Sequence, residues 1–382
     1  MNQTSSPRRV VIVGGGAGGL AAAVAAGRTG ARVTILEKAN RVGKKLLKTG
    51  NGRCNLSNRN VSPERYNRPD FVAPVLGETD CDALLDFFAG LGLWTVADGE
   101  GRIYPLSDTA ASVLDVLRLG CESVGAEELC SAEVTAVLPG REGGFRVVTR
   151  EQGELAADRV IVASGGGTAL LRPLGHRLTP FAPALCPLKT DVAPIRGLSG
   201  LRVRCRAVLL RNGRRVMAEE GEILFRDFGV SGILALNLSR KAREGDVISL
   251  DLLPGMPREE LIGRLEAQKA LGRPNGDIFT GIFHRRVGEN ILRRAGSGES
   301  AALADAIRDF SIPVTGLGDI QNAQVTRGGA AVEQFDPATL ESRILPGLYC
   351  VGEALDIDGE CGGYNLHWAF ASGLAAGRSA GA

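Results

Sequence analysis

VVIVGGGAGG, residues 10–19, is a β-branched run followed at once by the glycine pattern G-x-G-x-x-G. The β-branched residues are typical of a buried parallel strand. Residues 20–28 are alanine-rich and predict a helix that Gly30 ends, and residues 32–36 predict a second strand that closes with Glu37. The segment is therefore predicted to form one βαβ unit.

The glycines of this unit have separate expected roles in binding a dinucleotide. Gly14 permits a tight turn, Gly16 lets the backbone approach a pyrophosphate, and Gly19 lets helix and strand pack closely. The helix N-terminus presents unpaired N–H groups and the positive end of its dipole to the anion. Glu37 would accept hydrogen bonds from the adenosine ribose, and its charge disfavours NADP here. The alternative is a purely structural glycine turn, which the flanking strand, helix and acid disfavour.

The loop at residues 40–55 bears on which dinucleotide is bound. It is rich in glycine and basic residues and directly follows the second predicted strand. Such a loop can place cations on phosphate and backbone N–H groups on flavin edges, which favours FAD over NAD. A solvated charged loop is the alternative. Cys54 has no partner cysteine or histidine nearby in sequence, and its thiol is expected to have a packing role.

A second glycine-ended strand is predicted near the C-terminus. Residues 347–353 form a short apolar run that ends in Gly352 and Glu353, and a small-residue helix is predicted over residues 365–380. The start of that helix, aimed at a flavin pyrimidine ring, would stabilise negative charge on N1 and O2 of the reduced flavin. Glu353 is expected to bind the ribityl hydroxyls, and His367 to pack or to support a ligand from behind.

The segment between these two sites predicts helices over residues 82–91 and 107–124 and then three strands, 132–138, 145–149 and 155–162. The third strand runs into Ala163, Ser164, Gly165 and Gly166 and is predicted to rejoin the parallel sheet beside the cofactor, with a plain tight turn as the alternative.

An inserted region with antiparallel character is predicted from residue 187 to residue 320. Its expected strands are 202–210, 216, 223–225 and 247–253, with a hairpin turn at Asn212-Gly213, which indicates a barrel or sandwich. Its expected helices are 257–271, 281–294 and 300–310, a small helical cap. The sequence His284-Arg285-Arg286 in this region is interpreted as a solvated helix face or a domain contact.

Composition limits the class of protein. The net charge of +2 gives no basic surplus for nucleic acid, and the eight cysteines include no Cys-x-x-Cys pair, as expected for reduced thiols in the cytoplasm. Arg8-Arg9 before an apolar stretch resembles an export signal, but the six glycines between residues 14 and 27 disfavour an export signal. No membrane-spanning helix is predicted. Asp356 and Asp358 lack a neighbouring ligand set, so no metal is expected.

Six segments resemble one family along nearly the whole chain. They are KKLLKTGNGRCNLSN (44–58), GRIYPLSDTAASVL (101–114), PALCPLKTDV (183–192), LFRDFGVSGILAL (224–236), AQVTRGGAAV (323–332) and GLYCVGEALDIDGECGGYNLHWAFASGLAAG (347–377). In this order they are similar to the bacterial BaiN and aminoacetone-oxidase-like FAD flavoproteins. The chain departs from the family pattern in a shorter loop at residues 167–174, in Arg226-Asp227 where Thr-His is common, and in Ile233 where Pro is common.

The resemblance implies an α/β fold with a Rossmann-like, glutathione-reductase-like FAD domain made of residues 1–187 and 321–382. It also implies a β-barrel insertion (188–256 and 311–320) and a helical subdomain (257–310). FAD contacts carried over by resemblance are Gly14, Gly16, Gly19, Glu37, Lys44, Gly52, Arg53, Gly165, Gly352, Glu353, Asn365 and Leu366.

The remaining predicted cofactor contacts are Ala17, Gly18, Lys38, Lys45, Gly50, Cys54, Val134, Ala163, Ser164, Gly166, Asp358, Gly363 and Tyr364. Arg53, Tyr104 and Tyr364 are the candidates for the catalytic pocket. The predicted function is hydride transfer through FAD from NADH or NADPH to a small organic acceptor, an activated alkene or a ketone. An amine oxidase that uses oxygen, and a flavin-binding regulatory or RNA-associated protein without turnover, are the alternatives.

Overall fold

The computed structural model describes residues 6–141, 143–272, 274, 277–318, 323 and 325–382. The chain divides into two compact units, the first comprising Met1–Ala182 with Val325–Ala382 and the second Pro183–Gln324. The predicted boundary between residues 320 and 321 lies outside the described residues.

The described strands and helices are as follows, in chain order. The strands are β1 (Arg9–Val13), β2 (Arg32–Glu37), β3 (Ser57–Asn58), β4 (Thr95–Ala97), β5 (Arg102–Pro105), β6 (Glu127–Cys130), β7 (Val134–Pro139), β8 (Phe145–Thr149), β9 (Gly153–Ala157), β10 (Arg159–Val162), β11 (Leu178–Ala184), β12 (Leu188–Thr190), β13 (Arg202–Arg211), β14 (Arg214–Arg226), β15 (Gly229–Ser231), β16 (Val247–Asp251), β17 (Phe310–Leu317), β18 (Val325–Ala330) and β19 (Leu348–Cys350). The helices are α1 (Ala17–Arg28), α2 (Pro69–Glu78), α3 (Cys81–Ala89), α4 (Ala110–Ser123), α5 (Ile233–Ser239), α6 (Arg258–Ala270), α7 (Arg285–Ala295), α8 (Ser300–Arg308) and α9 (Tyr364–Gly381).

A five-stranded parallel sheet of order β19-β10-β1-β2-β6 organises the first unit. Its central strand β1 is buried from Val10 to Val13, as its β-branched residues predict for a strand covered on both faces. Two antiparallel sheets, β3-β5-β4 and β7-β8-β9, accompany it. The predicted βαβ unit and the Rossmann-like class are confirmed.

The strand predicted over residues 155–162 is in fact two strands. β9 completes the β7-β8-β9 meander, and β10 pairs in parallel with β1. Asp158 separates them, and its carboxylate accepts hydrogen bonds from the backbone N–H of Arg9 at 2.8 Å and from its guanidinium at 2.7 Å. The predicted return to the parallel sheet is confirmed, and the length of the strand is wrong because the chain changes sheets at this ion pair.

A closed antiparallel barrel of order β12-β15-β14-β13-β16-β17 organises the second unit. The predicted Asn212-Gly213 turn joins β13 to β14, with φ of 51° and 73° at its two residues. The runs predicted at 216 and 223–225 belong to the single strand β14. Helices α6, α7 and α8 bury Leu261, Ile291 and Leu303 in the same core as the barrel.

Several helix limits differ from those predicted for the second unit. α7 begins at Arg285, where the predicted helix began at residue 281, because His284 caps it by accepting a hydrogen bond from the Arg286 N–H. α8 ends at Arg308, and Phe310 begins β17. Among the described helices, none combines the length and apolar character that a bilayer-spanning helix requires.

Candidate functional site

The turn after β1 brings a bare helix N-terminus to the carboxyl edge of the parallel sheet. Gly14 has φ of 109°, a value that glycine adopts readily, and its N–H bonds to the Leu36 carbonyl at 2.8 Å. Gly16 precedes α1 in an extended conformation, and no side chain of the described residues caps the helix. The first N–H groups of α1 are therefore directed to a ligand or to water.

Gly16 and Gly19 are glycine for different reasons. A Cβ at Gly19 would lie 2.0 Å from the Gly14 carbonyl oxygen, so α1 and the β1 turn pack too closely for any side chain. A Cβ at Gly16 would have no protein atom within 4 Å. The open space in front of the helix start fits a pyrophosphate, which is the role predicted for Gly16.

Glu37 is already tied to the glycine turn. Its carboxylate accepts a hydrogen bond from the Gly15 N–H at 2.9 Å and another from the Ala39 N–H at 2.8 Å. An ionised carboxylate offers about four acceptor positions, so it can still accept from both ribose hydroxyls. Because both oxygens are held by backbone donors, the side chain is oriented before any ligand arrives.

The glycine-ended strands β1, β10 and β19 lie side by side and end at the same edge of the sheet. A Cβ at Gly165 would meet only the Glu353 Oε2, at 3.6 Å. Lys45 from the basic loop forms an ion pair of 2.5 Å with that oxygen. The structure thus brings together three segments that sequence analysis assigned separately to the cofactor.

Helix α9 packs against α1 through small residues spaced four apart. Cβ atoms at Gly373, Gly377 and Gly381 would lie 2.2, 2.4 and 2.9 Å from the carbonyl oxygens of Gly18, Ala22 and Ala26. The contact positions increase in residue number together in both helices, so the two helices are parallel and begin at the same end. Gly18, near the start of α1, lies beside residues 369–373 of α9. The first residue of α9 therefore projects about six residues, or ~9 Å along the helix axis, past the first residue of α1.

The start of α9 is held close to strand β3. A Cβ at Gly363, which has φ of 101°, would lie 2.3 Å from the Ser57 carbonyl oxygen. No side chain of the described residues caps this helix. The Asn55 Oδ1 lies beside Gly363 and is buried without a hydrogen-bond partner among the described atoms. A buried acceptor of this kind is costly unless a ligand or water satisfies it.

His367 holds the start of α9 in place through two buried hydrogen bonds, which agrees with the packing role predicted for it. It is fully buried; its Nε2 lies 2.9 Å from the Thr79 carbonyl and its Nδ1 2.9 Å from the Ser57 Oγ. Because a carbonyl only accepts, the imidazole donates from Nε2 and accepts the Ser57 hydroxyl proton at Nδ1. Burial lowers the pKa of His367 to about 4, so the ring is neutral.

Two of the three predicted pocket residues form a cluster, and the third lies in a different environment. The Arg53 guanidinium stacks on the Tyr104 ring, 4.3 Å from its centroid, and pairs with Asp108 at 2.5 Å. Tyr364 packs instead against Tyr66, with ring centroids 6.5 Å apart, and the guanidinium carbon of Arg65 lies over the Tyr364 ring, 5.6 Å from its centroid.

The other predicted contacts have varied surroundings. Lys38 and Lys44 are exposed, and Val134 begins β7, which belongs to the separate β7-β8-β9 sheet. Asp358 is buried, and its backbone N–H bonds to the Asn67 Oδ1 at 3.0 Å. Cys54 is fully buried, and burial raises its thiol pKa to about 12, which agrees with a packing role.

Sequence reasoning missed Asn55, Ser57 and Asp108. Asn55 is the last residue of the glycine-rich loop and Ser57 lies two positions after it, so polar residues at the end of such a loop were the available signal. Asp108 has φ of 56°, and no sequence pattern marks its pairing with Arg53.

These features fit FAD, whose two ends need different partners. The open space at Gly16 suits the pyrophosphate, and the orphaned Asn55 oxygen and uncapped α9 suit the polar edge of a flavin ring. The described residues contain no group of three or more His, Cys, Asp or Glu placed to hold a metal ion.

Comparison with known proteins agrees with this geometry. A family model described as HI0933-like protein Rossmann domain matches residues 8–379. The 3-dehydro-bile acid delta(4,6)-reductase of Clostridium scindens is 37% identical, covering 94% of this chain and 95% of the reductase. The ribosomal RNA dihydrouridine synthase of Escherichia coli is 25% identical, covering 92% of each chain.

A solved structure shows the same fold. The 3-ketosteroid-delta4-(5alpha)-dehydrogenase from Rhodococcus jostii RHA1 matches with a TM-score of 0.50 and 15% identity, covering 100% of this chain and 98% of that chain. The resemblance inferred from the six sequence segments is confirmed by the family match and the 37% identical reductase. The chain is therefore an FAD-dependent oxidoreductase that belongs to the HI0933-like Rossmann-domain family.

Proposed function

We propose that the chain reduces an activated alkene, a carbon–carbon double bond conjugated to a carbonyl group, with NADH or NADPH as the source of hydride. The observation that carries this proposal is the 37% identity, along 94% of the chain, to a protein named as a delta(4,6)-reductase of a 3-dehydro-bile acid. That name denotes reduction of double bonds in an oxidised bile acid. Bound FAD supplies a two-electron carrier between donor and acceptor.

The chain's own residues would hold this carrier at three places. The N–H groups at the start of α1 would bind the pyrophosphate, and Glu37 the adenosine ribose. Lys45 and Glu353, which pair with each other at the sheet edge, would bind a phosphate oxygen and the ribityl hydroxyls. The start of α9 would face the flavin pyrimidine and stabilise its negative charge on reduction, and His367 keeps that helix start in place.

The acceptor is proposed to be apolar because of the hairpin that carries Tyr104. Val96 lies directly opposite Tyr104 in the β4–β5 pair, so both side chains share one face. Trp94 and Leu106 extend this face, with exposed fractions of 75% and 57%. Exposed apolar side chains in a group are typical of binding surfaces, and a rigid apolar ring system fits this one.

The donor site is proposed to be a transient one. The chain has one well-formed G-x-G-x-x-G fingerprint, and FAD uses it. NADH or NADPH would therefore bind without a second glycine fingerprint of its own. A cytoplasmic location, where reduced nicotinamide is produced, belongs to the same proposal.

Reduction of uridine in ribosomal RNA is a second candidate. It is favoured by the 25% identity to the dihydrouridine synthase, since dihydrouridine is uridine with its ring double bond reduced. The net charge of +2 and the apolar face beside Tyr104 favour a small apolar acceptor instead.

Anaerobic mixing of the purified holoprotein tests the proposal. Separate samples of the protein are first mixed with NADH, with NADPH and with each of a panel of amines. The compound that removes the oxidised-flavin absorbance is the donor. The reduced protein is then mixed separately with a polycyclic 4,6-dien-3-one, a short polar enone, unmodified ribosomal RNA and oxygen.

We expect a nicotinamide to reduce the flavin and the polycyclic dienone to reoxidise it fastest, yielding a product in which one of the two carbon–carbon double bonds is reduced. Reoxidation by RNA with formation of dihydrouridine would establish the second candidate. Reduction by amines followed by reoxidation only with oxygen would contradict both and establish an amine oxidase.

A further inference from the structure

The Tyr104 side chain lies at the junction of the residues that surround the start of α9. Its Cε1 is 3.9 Å from the Cβ position of Gly50, and the same Cβ position is 3.0 Å from the Asn55 backbone nitrogen. Asn55 places its orphaned Oδ1 beside Gly363, where the helix begins. The phenol therefore adjoins the part of the site proposed to face the flavin ring.

The ring of Tyr104 is fixed and its hydroxyl is available. The residue is 8% exposed, and the Arg53 guanidinium covers one ring face at 4.3 Å. Arg53 is itself held by Asp108. Within the described part of the chain, no hydrogen bond engages the Tyr104 hydroxyl, and this oxygen is not among the fully buried unsatisfied atoms. A fixed ring with an accessible hydroxyl suits proton donation to a bound molecule.

The three histidines of the chain and Lys45 of the basic loop already have partners. His367 is buried, neutral and bonded at both nitrogens, and His176 is buried against Phe335. His284 caps a helix of the second unit. Lys45 is paired with Glu353.

The geometry points to Tyr104 as the proton donor for the reduction, an inference that rests on the proposed function. Bound FAD in its reduced form would supply a hydride, that is, two electrons and a proton, to the alkene carbon β to the carbonyl. The α carbon gains a proton as the Tyr104 O–H bond breaks, and the carbon–carbon double bond becomes a single bond. The phenolate then takes a proton from water, and the two electrons gained by the alkene are those that reduced FAD would supply.

The electrostatic surroundings support this role. Burial raises the pKa of the Tyr104 phenol above its usual value, and the nearby Asp98 and Cys361 act in the same direction. Arg102 and Arg53 act in the opposite direction. The phenol is therefore protonated at neutral pH, and two cations are present to stabilise the phenolate that forms when the proton leaves.

The test compares Tyr104→Phe with Tyr349→Phe, a control in strand β19 that removes another part-buried phenol. Holoproteins are reduced anaerobically and mixed with the polycyclic dienone. We expect the reoxidation rate of Tyr104→Phe to fall about 100- to 10,000-fold, the usual contribution of a general acid. Its rate of reduction by the nicotinamide should stay within about twofold of wild type, because that step does not use the phenol, and so should both rates of the control.

Two readouts do not depend on turnover. Alkaline titration of tyrosine absorbance in the apoprotein should lack one high-pH transition in Tyr104→Phe, and FAD affinity should be unchanged. A second variant, Arg53→Gln, leaves the phenol in place and should move that transition to still higher pH, because a neighbouring cation is lost.

The inference is overturned if wild type is reoxidised by the dienone and Tyr104→Phe is reoxidised at the same rate. It is also overturned if the titration of Arg53→Gln does not differ from wild type. If the dienone fails to reoxidise wild type, the proposed function itself is wrong and the role of Tyr104 is lost with it.

Discussion

His367 shows how a single buried side chain gives this protein a pH dependence. Its pKa is about 4 in the folded chain, because burial disfavours the imidazolium, against an ordinary value of 6.5. The unfolded chain therefore binds more protons between these values, and stability is lost as the pH falls from 6.5 toward 4.

From pH 7 to pH 5, this group alone is expected to lower the free energy of unfolding by about 2 kcal/mol. His367→Gln can donate to the Thr79 carbonyl but does not titrate. Urea unfolding of both proteins at pH 7 and pH 5 should show a smaller loss in the variant. Equal losses would mean that His367 is not the buried neutral base described above.

Glu37 is the residue expected to matter most for the adenosine ribose. In Glu37→Ala the Gly15 and Ala39 N–H groups lose their acceptor and the ribose loses its partner. Hydrogen bonds to a charged group contribute about 1.5–3 kcal/mol, so FAD should bind roughly 10- to 100-fold more weakly. Fluorescence titration of apoprotein measures this, with the exposed Glu244→Ala as control. Unchanged affinity in Glu37→Ala would remove Glu37 from the site.

In the turn that starts α1, one glycine is expected to be required for FAD binding and another for folding. A methyl group at Gly16 meets no protein atom, whereas one at Gly19 meets the Gly14 carbonyl. Gly16→Ala should fold within about 0.5 kcal/mol of wild type and bind FAD at least tenfold more weakly. Gly19→Ala should lose about 3 kcal/mol of stability. Thermal unfolding of the apoproteins and FAD titration distinguish the two, and normal FAD affinity in Gly16→Ala would argue against pyrophosphate at that position.

The parallel contact between α1 and α9 is the second element-level feature. Gly373→Ala places a methyl group 2.2 Å from the Gly18 carbonyl oxygen, so the helices must separate. A loss of about 1–3 kcal/mol is expected from overpacking. The exposed helical Gly263, with open space around its Cβ position, is the matched control. Gly263→Ala should instead gain up to about 1 kcal/mol from helix propensity. Equal effects at the two positions in urea unfolding would contradict the close packing.

At the scale of the whole molecule, local patterns predicted the elements well and long-range contacts poorly. The run VVIVGGGAGG and the small-residue helix near the C-terminus indicated β1, α1 and α9 because each pattern spans neighbouring residues. Strand β10 was predicted too long because the Arg9–Asp158 pair joins residues 149 positions apart.

Contacts between residues far apart in the chain also explain why parts of the candidate site were not predicted from the sequence. The sequence alone does not distinguish Gly373 from other small residues, because its role depends on the contact with Gly18. The buried, unpaired oxygen of Asn55 likewise depends on the approach of Asn55 to Gly363. Tyr364 lies at the predicted start of a helix, and its ring packs with Tyr66, whereas Arg53 stacks on Tyr104. Side-chain direction at such positions is decided by partners far along the chain.

One FAD lying across the two parallel helix starts is the claim on which the rest depends. Titration of the apoprotein with FAD, followed by flavin fluorescence and protein absorbance, tests it most directly. Saturation at one FAD per chain is expected in wild type, with weakened binding in Gly16→Ala. A chain that folds normally and takes up no FAD, or one whose uptake is the same in Gly16→Ala, would contradict it.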